Sequence, residues 1–462
     1  MYVTAVKANG YKNLKNAVIS PHPEYNLITG MNAQGKTNLL EAIWLMTGCR
    51  SFRGSKDRDY ISIDGNIMEL GMAFYDGRRT QKIEYSMSRE NIRDKKIKLN
   101  GVSIKGTNGL FDCFKAVVFT PDDTELIKGS PEKRRTFIDL CCCQLNGRCL
   151  DSVRRYDLLL NHRNTLLKSI AAGKAQRDSI YVWDQQIAAI GTFISVKRNE
   201  YVKKMNETCQ RLYSRITGGK EILTIEYNSN IFGSQIPEGN DGNDAVAKYF
   251  MKLNGSIDDD IRLGYTLWGA HRDDLVIKIN GLNIKEFGSQ GQKKTAALVM
   301  KLGQAEIYFK KSAEAPVILL DDVMGELDES RQALVFETVK NMQVFITACN
   351  ENAVKGLANG AVFRVENGEV TAMQERRGMY IHLGNEISVK KKNIVGIFDI
   401  ENTTISKNTG HLLENATKEG RVVNVSYEMP KSFIVSMENG REIVYISQIS
   451  VATLKKRASN RY

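Results

Sequence analysis

An α/β fold, interrupted by a helical insertion and followed by a small β-rich domain, is predicted by three features. A loop of small residues, Gly30 to Thr37, lies between a strand-like and a helix-like segment. The all-apolar run Val317-Ile318-Leu319-Leu320 ends in two aspartates, as does a strand buried in the middle of a covered sheet. Strand alternation then restarts after Gly378, where a second unit begins.

Along the chain, Tyr2 to Ile28 alternates as a pair of strands with a turn at Gly10, and a helix is expected from Lys36 to about Met46. Met68 to Ile104 is a strand meander in which Asn100-Gly101 marks a hairpin turn. Lys115 to Thr120 is a further strand. Ser130-Pro131 places a capping serine before a proline at the first helical position. Two helical stretches follow, Glu132 to Ala172 and Asp178 to Thr217, closed by Gly218-Gly219. A polar loop, Ser234 to Asp244, precedes strands at Leu275 to Ile279 and Leu282 to Ile284 around Asn280-Gly281. Gln290 to Lys310 is expected to be helical, and Val317 to Leu320, a helix and Val344 to Thr347 complete a β-α-β pattern. After the junction Arg376 to Gly378, strands are expected at Ile381 to Leu383 and Ile394 to Phe398. A hairpin of Phe433 to Ser436 and Ile443 to Ile446 turns at Asn439-Gly440. The predicted division is residues 1–125, 126–265 (the helical lobe), 266–375 and 379–462.

Composition narrows the function. Hydrophobic residues make up 42% and charged residues 26%, ordinary for a globular protein. No apolar run reaches the roughly 18 to 20 residues that span a bilayer, so a cytoplasmic address without a membrane partner is expected. The eight cysteines form no C-x-x-C pair and the five histidines are scattered, which argues against zinc and against a disulfide framework. The net charge of +12 favours a polyanionic partner.

Chemistry concentrates at three motifs. Gly30-Met31-Asn32-Ala33-Gln34-Gly35-Lys36-Thr37 matches G-x-x-x-x-G-K-T between strand and helix. Its glycines let backbone N–H groups turn towards phosphate oxygens, Lys36 adds a point charge, and the Thr37 hydroxyl suits Mg²⁺. ATP with Mg²⁺ is the cofactor this implies. Asp321 and Asp322 then stand at the carboxyl edge of the apolar strand, Asp321 to hold Mg²⁺ and Asp322 to face the attacking water. Ser289-Gln290-Gly291-Gln292 opens a helix ahead of the paired aspartates, as the signature loop of ATP-binding cassettes does. A hydroxyl, a residue without Cβ and a helix N-terminus suit a γ-phosphate offered by another subunit. Glu326-Leu327-Asp328 takes the place of the cassette D-loop.

The order of the motifs resembles the RecF family of bacterial recombinational repair. The likeness extends to Tyr11-Lys12-Asn13, Phe119-Thr120-Pro121-Asp122-Asp123, Ser130-Pro131-Glu132-Lys133-Arg134-Arg135 and Gly269-Ala270-His271-Arg272-Asp273-Asp274, over about residues 1–375. It implies an α/β fold, an ABC/SMC-type P-loop ATPase head with a helical second lobe, ahead of the small C-terminal β-rich domain, and an ATP-dependent homodimer that binds single-stranded and gapped duplex DNA. It also implies RecO and RecR mediators as partners in loading RecA during repair, replication restart and the response to DNA damage. Two departures from transporter cassettes stand out: Thr347 where a histidine is usual, and Asp322 in place of a longer glutamate. A misplaced carboxylate can cost about a hundredfold in rate, so a slow, switch-like ATPase is expected.

Other signals are less specific. Lys133, Arg134 and Arg135 stand in the first turns of a helix, where basic residues oppose the dipole; a DNA phosphate would explain them, and a solvated charged face is the commoner alternative. His271-Arg272-Asp273-Asp274 is open to two readings, an acid–base or metal cluster and a charged turn closed by internal ion pairs. The tail resembles the RemB-type regulators of extracellular-matrix genes through Tyr380-Ile381-His382-Leu383-Gly384, Ile397-Phe398-Asp399, Pro430-Lys431-Ser432-Phe433, Tyr445 to Ser450 and Thr453 to Arg457. Three alternatives remain at this level: a transporter's cassette subunit, a structural SMC-like head, and a DNA-binding transcription regulator acting through the tail.

Overall fold

Strands that are apolar along almost their whole length belong between two covered faces, and four of them form the parallel centre of the protein. Tyr25–Thr29, Val344–Ala348, Val317–Leu320 and Ala116–Phe119 lie side by side in that order. Gly360–Glu366 and Glu369–Met373 extend the sheet beyond Tyr25–Thr29. The helix Lys36–Leu45 packs on Val344–Ala348, and the helix Gln290–Ser312 packs on Ala116–Phe119.

The computed structural model describes residues 1–237, 242–312, 314–349, 360–373, 380–384, 387–390, 393–400, 407–426, 429–438 and 441–459. The junction Arg376 to Gly378, Met379, the Asn439-Gly440 turn and part of the Ser234 to Asp244 loop lie outside them. The chain divides into two units, Met1–Lys355 with Phe363–Met373, and Gly356–Val362 with Gln374–Tyr462. Among the described residues no helix is long and apolar enough to cross a membrane.

The second sheet of the first unit is antiparallel, in the order Ala17–Ile19, Tyr2–Asn9, Ile67–Tyr75, Thr80–Ser88, Lys96–Leu99 and Val102–Ile104. Its period-two alternation buries Val6, Leu70, Met72, Phe74, Ile83 and Tyr85 on one face. Asn100 and Gly101 both take positive φ, 51° and 82°, as the expected two-residue turn requires. The segment expected as a strand pair is three strands. Tyr2–Asn9 pairs with Ala17–Ile19, but Tyr25–Thr29 is buried along its length and joins the parallel sheet instead.

The insertion contains Pro131–Leu145, Gly147–Ala171 and Tyr181–Thr217. The first expected stretch is therefore two helices. Asn146 leaves helical geometry (φ −150°, ψ 108°), and its side chain accepts the Arg148 N–H at 3.0 Å, starting a new helix. Ser130 occupies the N-cap position of Pro131–Leu145 without a side-chain bond, so the fixed φ of Pro131 marks that start. Leu223–Asn228 pairs antiparallel with Asp274–Ile279, joining residues expected in the helical lobe to residues expected in the last part of the head.

Buried arginines hold the lobe together. Arg163 is fully buried and donates to Asp184 (2.6 Å), Asp260 (2.7 Å) and Thr266 (2.8 Å). Arg198 clasps Asp139 at 2.7 and 2.8 Å and donates to the Ala270 carbonyl oxygen at 2.6 Å. Asp273 accepts from Ser195 Oγ at 3.2 Å, from the Asn230 N–H at 2.6 Å and from the Tyr227 hydroxyl. Of the two readings of His271 to Asp274, the structure shows the charged turn closed by internal partners.

Arg134 must be corrected with it. Its guanidinium is buried and grips Asp274 with two bonds, at 2.7 and 2.8 Å, so it is closed to a DNA phosphate. Arg135 donates to the Asp273 carbonyl oxygen at 3.0 Å, and Lys133 alone of the three is exposed.

In the second unit, Ile394–Asp399, Ser432–Glu438, Arg441–Ser447 and Val422–Asn424 form a four-stranded sheet. Ile381, Leu383, Val425, Ile434, Tyr445 and Leu454 build one core cluster, and Ala416, Phe433, Val435 and Val444 another. The helices Lys407–Lys418 and Val451–Ser459 were not legible beside the strand alternation.

His271 gives the first unit a pH dependence. Ala270 N–H donates to Tyr249 Oη, which meets Tyr156 Oη, which meets His271 Nδ1, each at 2.9 Å; His271 Nε2 then donates to the Thr266 carbonyl oxygen at 3.0 Å. That chain fits a neutral imidazole, and burial pulls the pKa down from 6.5 to about 4. The unfolded ring takes up a proton near 6.5 and the folded one not until about 4, so stability is lost as pH falls through that window. Thermal melts should show a steeper decline in melting temperature for the wild type than for His271→Gln across it. Parallel curves would assign the acid sensitivity to other groups.

Candidate functional site

The loop from Gly30 to Thr37 is shaped by its backbone. Gly30 has φ 146°, and a Cβ there would collide with the Val365 carbonyl oxygen. Gly35 has φ 119°, and a Cβ would stand 2.8 Å from Asn13 Oδ1. Gly35 caps the helix Lys36–Leu45 without a side-chain bond, leaving its first N–H groups facing the loop. Lys36 is 4% exposed, and its Nζ donates to the carbonyl oxygens of Gly30 (2.8 Å) and Met31 (3.1 Å). The ammonium is thus held across the mouth of the loop by two neutral acceptors that an oxyanion can replace.

The paired aspartates reach this loop. Asp321 Oδ1 accepts from Thr37 Oγ1 at 2.8 Å and from Thr347 Oγ1 at 2.9 Å. Thr347 Oγ1 also accepts the Asp322 N–H at 2.8 Å. Thr347 therefore braces both aspartates, a use for the residue that stands where transporter cassettes carry histidine. Burial pushes the Asp321 carboxyl up from 3.8, opposed by its two hydroxyl donors. Asp322 takes the left-handed conformation, φ 51°, and is half-buried. This backbone turn sends its side chain to a polar depression of about 250 Å³ that it lines with Asn32, Ala33, Lys36, Thr37 and Arg53. Asn32 also accepts from Cys349 Sγ at 3.1 Å, and Gln34 Oε1 accepts the Asn367 N–H at 2.5 Å.

These residues fit Mg²⁺. A hydroxyl and a carboxylate, Thr37 and Asp321, are hard oxygen donors adjoining a cavity sized for phosphates. Among the described residues no group of three His, Cys, Asp or Glu is arranged to hold a metal, so the remaining ligands would come from phosphate and water. A larger cavity of about 480 Å³ lies on the outer face of the antiparallel sheet, between Lys7, Gly71, Glu84 and Lys98. It shares no residue with the phosphate loop and gathers no reactive constellation.

Arg53 is the functional candidate that sequence reasoning missed. It lines the depression, and its Nη1 donates to Asn38 Oδ1 at 3.2 Å. Asn38 Nδ2 donates to Asn13 Oδ1 at 2.7 Å, and Asn13 Nδ2 to the Ala33 carbonyl oxygen at 3.2 Å. The available signal was an arginine beside a glycine and between serines, Ser51-Phe52-Arg53-Gly54-Ser55, a few residues after the phosphate-loop helix.

Ser289 to Gln292 lies outside the depression of its own chain. Ser289 Oγ accepts the Gln292 N–H at 3.2 Å while Gln292 Oε1 accepts the Ser289 N–H at 2.7 Å, a reciprocal cap. Ser289, Gln290 and Gly291 are exposed, and a Cβ on Gly291 would meet nothing closer than Ser289 Oγ at 3.9 Å. Glycine is not required there by the chain's own packing. Asp328 caps the helix Glu329–Thr338 by accepting the Arg331 N–H at 2.9 Å.

Phosphate loop, braced aspartates, exposed signature helix and helical insertion together define a P-loop ATPase head of the SMC type. The family described as RecF/RecN/SMC N terminal domain matches residues 2–371, and the family described as extracellular matrix regulatory protein A-like matches residues 380–458. The DNA replication and repair protein RecF of Acetivibrio thermocellus is 34% identical over 372 residues, 80% of this chain and 99% of that protein. RecF of Desulforamulus reducens is 35% identical over 381 residues, 81% and 100%. A solved structure of the recombination mediator protein RecF with ATPrS superposes with a TM-score of 0.75 at 33% identity, covering 80% of this chain and 98% of that one. The corresponding RecF–ATP structure gives 0.73 at 33%, covering 80% and 99%. The chain belongs to the RecF family.

The brace on Asp321 is testable without ligand. Thr347→Val keeps the volume but removes one donor from a buried carboxylate and the acceptor of the Asp322 N–H. A loss of about 1–3 kcal/mol in the unfolding free energy is expected in urea titrations. A change within about 0.5 kcal/mol would place the strength of the brace elsewhere.

Proposed function

We propose that this protein is an ATP-dependent DNA-binding recombination mediator of the RecF type, with a weak ATPase that serves as a switch. The observation that carries the reading is the hydrogen-bonded run Thr37–Asp321–Thr347–Asp322, which couples the phosphate loop to the end of the central strand. Lys36 and the N–H groups at the start of Lys36–Leu45 bind the phosphates of ATP. Thr37 and Asp321 hold Mg²⁺, which when bound supplies charge to the phosphate oxygens. Asp322 faces the attacking water, and its short side chain on a constrained backbone supports slow turnover. Relatives solved with ATP and ATPrS support the choice of nucleotide.

Ser289, Gln290, Gly291 and Gln292 present their helix start to the γ-phosphate held by a second copy, so ATP drives homodimerisation. Their exposure, and a glycine that the chain's own packing does not require, support this assignment. The dimer binds DNA, gapped duplex and single strand included, and works with RecO- and RecR-like mediators to load RecA. The basic surplus and the RecFOR-pathway relatives support those partners. The tail's match to extracellular-matrix regulators supports a separate regulatory role for the second unit.

Lys36→Ala should abolish ATP binding, whereas Asp322→Asn should retain it and slow hydrolysis. Normal turnover by Asp322→Asn would remove Asp322 from the water-facing role. Ser289→Arg puts a bulky cation where the second copy should dock, so ATP should still bind but light scattering should report a monomer. A wild-type dimer in that variant would sink the split site.

A further inference from the structure

We infer that Glu41 is the positioning residue for Arg53: it acts through Ser51 to fix the loop that carries Arg53 into the phosphate depression. The inference rests on the nucleotide reading above and adds to it a residue that does not itself line the site.

Glu41 lies on the phosphate-loop helix and is 0% exposed. A buried carboxylate is tolerated when charge and hydrogen bonds answer it, and here both do. Lys12 Nζ pairs with Oε2, and Ser51 Oγ donates to Oε1. With its proton directed at Glu41, the Ser51 hydroxyl turns its lone pairs to the backbone, accepting the N–H of Arg53 at 3.1 Å and of Ser55 at 3.2 Å. The loop is thereby wound around one oxygen. Lys12 Nζ adds a bond to Ser55 Oγ at 2.9 Å, and the Ser51 N–H donates to Tyr60 Oη at 3.2 Å.

The backbone of the segment from Ser51 to Ser55 is held chiefly through Glu41, Lys12 and Tyr60, while Phe52 rests edge-on against Trp44 with ring centroids 6.3 Å apart. Arg53 itself is exposed, and Gly54, at φ 73°, has open space around it. Left to itself, a long charged side chain next to such a glycine would spread over many rotamers, and ordering it would cost binding energy. Anchoring its backbone, with Asn38 on the outer side, meets part of that cost before a phosphate arrives. A buried ion pair adds little net stability compared with apolar packing, so the Lys12–Glu41 pair is better explained by what it positions.

A double-mutant cycle on ATPγS affinity in the full-length protein tests this, with wild type, Ser51→Ala, Arg53→Ala and the double variant. Ser51→Ala should weaken binding about tenfold, and should weaken it no further once Arg53 is alanine. Full affinity in Ser51→Ala, or two losses that simply multiply, would overturn the inference. Glu41→Gln keeps an acceptor for the Ser51 hydroxyl and should lose less than Ser51→Ala; an equal or larger loss would also overturn it. Failure of the wild type to bind ATPγS would instead remove the nucleotide reading, and the inference with it.

Discussion

The carboxylate of Asp321 is the point on which the two ends of the head depend. It accepts one hydroxyl from the phosphate-loop helix and another from the end of the neighbouring strand, and these donors, 284 and 26 residues away along the chain, reach it only through the fold. Parallel pairing of Val317–Leu320 with Val344–Ala348 sets Thr347 at the right height, and pairing of Val344–Ala348 with Tyr25–Thr29 places the loop. A one-residue shift in the first pairing would turn Thr347 to the opposite face, and one in the second would displace the loop that carries Thr37, so either would leave the buried Asp321 carboxyl with a single partner. The sheet's register is thus a condition of the site's chemistry.

The helical insertion answers to a different constraint. Its helices carry buried arginines, and each arginine closes on acids contributed by separate segments: Arg163 on Asp184 and Asp260, Arg198 on Asp139 and Asp273. Such pairs discriminate between packings more than they add net stability, because a helix in the wrong place strands a charge. The turn from His271 to Asp274 is where several of these demands meet. Its histidine is kept neutral and its aspartate fully satisfied, which suits a structural corner and not a proton-transfer group.

Much of the nucleotide site was legible because its signals are local. Gly30 to Thr37 and Leu320-Asp321-Asp322 each declare themselves within a few residues, since strand, loop and helix start must be contiguous to cradle phosphate. The helix start at Ser289 to Gln292 was legible for the same reason. Arg53 and Glu41 were not, because their meaning comes from a contact between a helix and a loop that no short spacing encodes. Arg134 misled for the complementary reason: a basic residue in a first helical turn invites an external anion, yet its anion, Asp274, is supplied by the same chain far along the sequence. Strand character was readable in Tyr25–Thr29, but its sheet was not, since alternation and continuous burial differ little over five residues.

The outer wall of the phosphate loop comes from the far end of the first unit. Gly30 lacks a side chain because the Val365 carbonyl stands where one would go, Gln34 takes the Asn367 N–H, and Gly368 abuts the backbone of Asn13. The strand feeding the loop likewise pairs with residues from Val344 onward. A ribosome therefore releases the phosphate loop long before it releases the loop's walls. During synthesis the phosphate-loop turn stays without its template until the chain has been extended past Gly368.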